Sequence, residues 1–192
     1  MRVMKLFGRP DEWVRTAVLK SAAIVIMVLT LAGAAGAVNA GELVNALPDG
    51  TAMDGFDVVA YQIEGAPALG SKSHSVEHKG KTWLFSSSEN ASLFKANPSK
   101  YEPQNNGWCS YAVSEGYGAE VDFVNGWSVL NGKLYLNWDK ETRDLFVSEQ
   151  ANRVLKAEKN WPAVHAGLQD KSVELHTHAG EGVDIAHPQK PN

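Results

Sequence analysis

The sequence predicts a small α+β domain, antiparallel hairpins packed on two helices, with a signal peptide before it and a flexible tail after it. Three observations predict this. Two short strand-like runs are each interrupted by a turn pair, Lys79-Gly80 and Asn131-Gly132, and Asn-Gly suits the positive φ angles of a type I′ hairpin turn. Two other stretches carry helix punctuation, hydroxyl or acidic caps at their starts and Pro98 or Pro162 near their ends. The first forty residues differ in character from everything that follows.

In that leader Arg2, Lys5, Arg9, Arg15 and Lys20 run into an apolar stretch, residues 21–33, which gives way to small residues at 34–40. A basic region, an apolar run and a small-residue site are the order of a secretory signal peptide, with processing after Ala40 or, alternatively, after Ala37. The apolar span, residues 22–37, also approaches the roughly 17–25 residues that cross a bilayer, so an uncleaved anchor is the competing reading. The run closes on small residues rather than a stop-transfer charge cluster, which favours cleavage. The expected organisation is therefore signal peptide 1–40, domain 51–164 and tail 165–192, with the mature chain periplasmic or secreted and touching a membrane only if the leader is retained.

Within the domain, residues 56–61 read as a short strand, and residues 74–78 and 81–85 as the first hairpin. Ser86, Ser87 and Ser88 offer caps for a helix over 86–97 that turns Leu93 and Phe94 to the core and stops before Pro98. Residues 127–130 and 133–137 form the second hairpin. The longest helix should start at Asp139 as N-cap and run to about Lys159, with Val147, Ala151, Val154 and Trp161 near one face and Trp161-Pro162 as its end. Past 164, Gly, Asp, His, Pro and Lys replace large apolar residues, the composition of a disordered tail.

Charge and composition exclude several classes of function. The chain has 18 Lys and Arg against 22 Asp and Glu; residues 1–40 hold five of the former and two of the latter, leaving 13 against 20 and a net charge of about −7 after processing. An acidic chain without a basic cluster repels phosphate backbones, so no nucleic-acid partner is expected. No nucleophile elbow, Gly-rich phosphate loop or paired-cysteine motif is present. Asp54 and Asp57 can be read as a carboxylate pair, but such residues more often cap a turn. Trp83, Trp108, Trp127, Trp138 and Trp161 read mainly as core.

The single cysteine, Cys109, stands out in a chain bound for an oxidising compartment. It has no internal disulfide partner, so it is buried and inert, or reactive, metal-binding, or paired to another chain. Turn residues Pro103, Asn105, Asn106 and Gly107 lead to it, and Trp108 precedes it. Four histidines are possible helpers: His74 and His78, four apart in a strand-like run, and His176 and His178, a His-x-His pair in the tail, where neutral imidazoles suit Cu²⁺ or Zn²⁺. The plainer reading of all four is solvated polar surface.

Several blocks in order resemble the YHS domain family, in particular its small exported branch. They are residues 54–61, residues 83–86 followed by Glu89, Asn90, Phe94, Asn97, Pro98 and Tyr101, then Pro103-Gln104 with Gly107, Trp108 and Cys109, and residues 131–137. The resemblance spans about residues 53–164. In that branch some relatives carry selenocysteine at the place of Cys109, which implies that the chalcogen matters there, for redox chemistry or for a soft metal. The metal-associated YHS modules of copper-transporting ATPases carry a cysteine cluster whose positions fall here on Ala60, Ser86 and Asn90, so that cluster is absent from this chain.

The resulting expectation is a non-enzymatic binding module in which Cys109 holds copper, zinc or another thiophilic ligand, with His74, His78, His176 and His178 as further candidate donors. The alternative from a different class is a thiol-dependent oxidoreductase whose Cys109 passes through sulfenic acid or a mixed disulfide with a thiol partner protein. A structural or protein-interaction domain with a buried cysteine is the third reading.

Overall fold

The computed structural model describes residues 42–178; the expected signal peptide and residues 179–192 of the expected tail lie outside them. A 3₁₀ turn, Met53–Gly55, is followed by α1 (Ala60–Ile63), a hairpin of β1 (Ser71–His78) and β2 (Lys81–Phe85), and the helices α2 (Ser88–Ala96) and α3 (Pro98–Tyr101). A second 3₁₀ turn, Gln104–Gly107, leads into α4 (Ser110–Glu115), β3 (Gly118–Ala119) and a hairpin of β4 (Trp127–Leu130) and β5 (Lys133–Leu136). The last described elements are α5 (Lys140–Ser148), α6 (Gln150–Asp170) and β6 (Leu175–His176). The protein is thus a small α+β domain with antiparallel hairpins and helices. Among the described residues the strands form three separate pairs instead of one sheet: β1–β2 and β4–β5 antiparallel, β3–β6 parallel. No helix among the described residues is long and apolar enough to cross a membrane.

Local chemistry explains the elements that follow expectation. Asn131 and Gly132 have φ of 52° and 74°, the left-handed pair a type I′ turn requires, and Lys79-Gly80 does the same at 52° and 69°. Ser87 caps α2 by accepting from Asn90 N–H at 3.1 Å, and Asp139 caps α5 by accepting from Thr142 N–H at 2.6 Å. Pro98 ends α2 by opening α3, a first-turn position where its missing N–H costs nothing.

Three expectations are corrected. Residues 56–61 are not a strand: only Phe56 makes a bridge, to Leu69, and α1 follows. All six side chains are buried, so there is no solvent-facing alternate set, and Asp57 Oδ1 accepts from Val59 N–H at 2.8 Å and Ala60 N–H at 3.2 Å, a helix cap. The long C-terminal helix is two, separated at Glu149 (φ −112°, ψ 23°), and its buried positions are Phe146, Arg153, Ala157, Val164 and Gly167, while Val147 and Ala151 are exposed. Pro162 does not end α6. Val164 packs with Val113 and Ala157 in a small core that Leu168 and Val173 extend, and this packing carries the helix past the hydrogen bond that proline deletes. Of the stretch expected as tail, residues 165–178 are accordingly helix, turn and strand.

The main core joins the first half of the domain to both hairpins through Met53, Phe56, Tyr61, Trp83, Phe85, Phe94, Leu134 and Leu136. At its edge Asp57 is fully buried. Besides its two bonds to α1, its Oδ2 accepts from Ser86 N–H at 2.9 Å, Ser86 Oγ at 2.7 Å and Asn90 Nδ2 at 2.7 Å. Five donors converge on one carboxylate, which offsets the cost of taking it out of water. Replacing one oxygen with an amide nitrogen turns an acceptor into a donor that faces donors. Asp57→Asn is expected to lower the unfolding free energy by about 2–4 kcal/mol, read from urea denaturation. A loss under about 0.5 kcal/mol would remove Asp57 as the anchor of these segments.

Candidate functional site: the Cys109 pocket

The approach to Cys109 is built from backbone that most residues avoid. Asn105 and Asn106 lie at φ 55° and 51° and Gly107 at 85°, and asparagine and glycine are the residues that tolerate this region. A Cβ at Gly107 would fall 2.4 Å from Met53 Sδ, so the glycine is also required by close approach. The chain then straightens at Trp108 (φ −81°, ψ 158°), and neighbouring side chains on extended backbone leave on opposite sides. Trp108 is held on one side by its Nε1–H donating to the Leu43 carbonyl at 3.2 Å. Cys109 turns to the other side as N-cap of α4, its own N–H donating to the Ala119 carbonyl at 3.0 Å and its Sγ accepting from Ala112 N–H at 3.5 Å.

Cys109 is 1% exposed. Burial pushes its thiol up to about 11, against the smaller and opposite pull of the backbone N–H groups of Ala112, Trp138 and Tyr111; the nearby Asp139 carboxylate adds to the rise. Cys109 borders a pocket of about 180 Å³ whose other walls are Tyr111, Tyr117, Ala119, Trp138, Thr142 and His176.

Each wall has a structural cause. Tyr111 donates its backbone N–H to the buried Asn137 Oδ1 at 3.1 Å, and its ring lies 4.2 Å from the Arg153 guanidinium. Arg153 is itself fixed by Glu149 at 3.0 Å, by Ser114 at 3.2 Å and by Glu115, and donates to Tyr111 Oη at 3.3 Å. Gly116, left-handed at φ 93°, ends α4 and delivers Tyr117, whose phenol is pushed up by burial and then by the Cys109 and Tyr111 charges. Trp138 is stacked on the His178 ring at 3.6 Å. His176 enters from β6, paired with Ala119 of β3, its ring 4.9 Å from that of Tyr117.

The structure therefore brings together two of the five expected donors, Cys109 and His176, on one pocket. His178 lies behind Trp138 and borders a different, larger cleft. His74 and His78 belong to β1 and do not line the Cys109 pocket; His78 Nε2 is 2.8 Å from Glu102 Oε1, with its ring against Phe94 at 5.5 Å. Asp54 and Asp57 do not act as a pair, since Asp57 is the buried anchor and Asp54 borders the larger cleft. Ala60, Ser86 and Asn90 meet: all three donate to the Asp57 carboxylate, Ala60 through its backbone N–H.

Among the described residues no three His, Cys, Asp or Glu side chains converge to hold a metal ion. Any metal at Cys109 would thus rest on thiol and imidazole, with no carboxylate in the pocket wall. Such a set suits a soft ion that accepts few ligands and does not suit Mg²⁺ or Ca²⁺, which need several oxygens. Tyr111, Tyr117, Trp138 and Thr142 carry no sequence signal for this role; of them only Tyr117, next to a helix-closing glycine, has a local reason for its position. Compared with family models, with curated proteins and with solved structures, the chain finds a match in none of the three.

The raised thiol has a thermodynamic consequence. The unfolded chain releases this proton near the ordinary value of 9.0 and the native chain only near 11, so the unfolded state binds fewer protons between these values. Stability from this group is complete below pH 9 and is lost as pH rises toward 11, by about 3 kcal/mol. The wild type should lose that much relative to Cys109→Ala over this window, and thiolate absorbance of the folded protein should have its midpoint near pH 11. A folded-state midpoint at or below 8.5 would mean that the N–H groups outweigh burial.

Proposed function

We propose that this domain is an exported, YHS-type, non-enzymatic binding module that holds a soft ligand, copper(I) before any other, at Cys109 in the cell envelope. The observation that carries the reading is the joint presence of Cys109 and His176 on one small pocket otherwise walled by Tyr111, Tyr117, Ala119, Trp138 and Thr142. Thiolate and imidazole are the soft and borderline donors that favour Cu(I) and Zn(II) over hard cations. Cys109 would serve as thiolate and give its proton to solvent on loading, which makes affinity rise with pH, while the three N–H groups around the sulfur favour its charged form. The meeting of Ala60, Ser86 and Asn90 at Asp57 is consistent with the YHS resemblance, and the basic-then-apolar leader supports export to the periplasm or the exterior.

The redox alternative needs a thiolate that is available to oxidants at neutral pH. A thiol that is 1% exposed and raised to about 11 is poorly equipped for that role. The metal reading is the stronger of the two because a bound ion itself displaces the proton.

The test is a Cu(I) and Zn(II) competition titration against a chromogenic chelator. Cys109→Ser is expected to lower Cu(I) affinity by at least about 100-fold and His176→Ala by about 10-fold or more, with His74→Ala and His78→Ala unchanged. A wild type that binds Cu(I), Cu(II) and Zn(II) no more tightly than Cys109→Ser would sink the proposal and leave Cys109 as a buried structural residue.

A further inference from the structure

We propose that the Cys109 pocket is built for hand-over: it holds copper(I) by two donors of its own, Cys109 and His176, and releases the ion to a thiolate or thioether that enters the pocket past His176. This rests on the metal-binding reading given above and adds to it the chemical class of the acceptor.

The two donors differ in access. Cys109 is 1% exposed, whereas the His176 side chain is 51% exposed. An ion held by both is covered on its sulfur side and reachable on its imidazole side. The donors also differ in how firmly they are placed. Cys109 is the N-cap of α4, and its N–H is bound to the Ala119 carbonyl at 3.0 Å. His176 stands on a two-residue strand, with its Nε2 3.8 Å from Glu174 Oε2, so the imidazole has a second contact to take up when it leaves the ion. Room is present as well. The pocket measures about 180 Å³, against roughly 30 Å³ for one water-sized occupant, and the difference accommodates the end of a cysteine or methionine side chain. Among the described residues no three His, Cys, Asp or Glu side chains converge, which leaves the third bond to the incoming donor. A soft ion takes that donor from sulfur in preference to carboxylate.

The exchange is a ligand substitution in which copper stays in the +1 state. The incoming sulfur bonds to copper first, the copper–imidazole bond breaks next, and the bond to Cys109 Sγ breaks last. Cys109 then takes one proton from solvent; an acceptor that arrives as a thiol releases one to solvent, and a thioether releases none. Burial disfavours charge on the Cys109 sulfur, and this favours the final step.

The experiment loads the full chain with copper(I), counts the ligands by X-ray absorption, and follows the copper left on the protein after mixing with N-acetylcysteine, with a glycine-rich peptide carrying one cysteine, or with acetate. The loaded site should show one sulfur and one nitrogen ligand. A tenfold increase in N-acetylcysteine should speed release about tenfold, and acetate should leave it unchanged. Release to the peptide as well assigns the acceptor to a protein side chain; release to N-acetylcysteine alone assigns it to a small thiol. A loaded site that already has three or more ligands, or a release rate that does not depend on the concentration of sulfur donor, would overturn the hand-over and leave copper binding intact. A chain that binds no copper(I) would end both readings.

Discussion

The domain depends on one buried carboxylate. Asp57 ties the segment before α1 to β2 and α2, 29 and 33 residues away, and an isolated ion in that position would be too costly to keep. Because its five donors come from three segments, the bond set is complete only when α1, the end of β2 and the start of α2 are all in place. What Asp57 fixes then passes along the chain. Phe56 sits immediately before it and Met53 four residues before, Met53 N–H donates to the Asn45 carbonyl at 3.0 Å, and Asn45 bonds the Asn106 carbonyl at 3.0 Å through its N–H and the Gly107 carbonyl at 3.0 Å through Nδ2. The left-handed turn at residues 105–107 is therefore held against Met53, and that turn aims Trp108 and Cys109.

Trp108 and Cys109 each border a different cavity, and the β3–β6 pair supplies wall to both. Ala119 and His176 border the Cys109 pocket, whereas Glu120, Leu175 and His178 border the cleft beyond Trp108. Strand alternation explains the division at residues 119–120 and 175–176. The main-chain bonds that hold β6 include Gly118 N–H to the Glu174 carbonyl at 3.3 Å and Glu120 N–H to the His176 carbonyl at 3.0 Å, with the Tyr117–His176 and Trp138–His178 ring contacts added. Both cavities thus depend on a short strand near the end of the described residues, whose position rests on α6 running past Pro162.

Legibility in the sequence followed locality. The type I′ turn at Asn131-Gly132 and the caps at Ser87 and Asp139 are decided within four residues, and they could be read directly. The face of α6 could not. Its buried polar residue is Arg153, which meets Ser114, Glu115, Glu149 and Tyr111, and these partners offset the burial of a charge. The helix is rotated by that requirement, leaving Ala151 and Leu155 to solvent while Trp161 packs at the edge of the small core, so apolar periodicity caught only part of the buried face. Likewise the spacing of His74 and His78 and that of His176 and His178 look equally suggestive in the sequence. Only the pairing of Leu175 and His176 with Gly118 and Ala119, a contact across nearly sixty positions, separates the histidine beside the thiol from the others.

At Cys109 two physical demands oppose each other. The surrounding low-dielectric wall of rings disfavours charge on sulfur, and the N–H groups of Ala112, Tyr111 and Trp138 favour it. Burial prevails, and the thiol keeps its proton. On the proposed reading, this balance is what makes the site selective: an oxidant arriving at neutral pH meets a protonated, covered thiol, whereas a soft cation replaces the proton with a charge that stays on the sulfur. The N–H groups then lie beside a ligand whose negative charge is largely neutralised, and the aromatic wall no longer opposes it. Burial, which first reads as the mark of an inert cysteine, is on this argument compatible with a binding thiol and hostile mainly to a nucleophilic one.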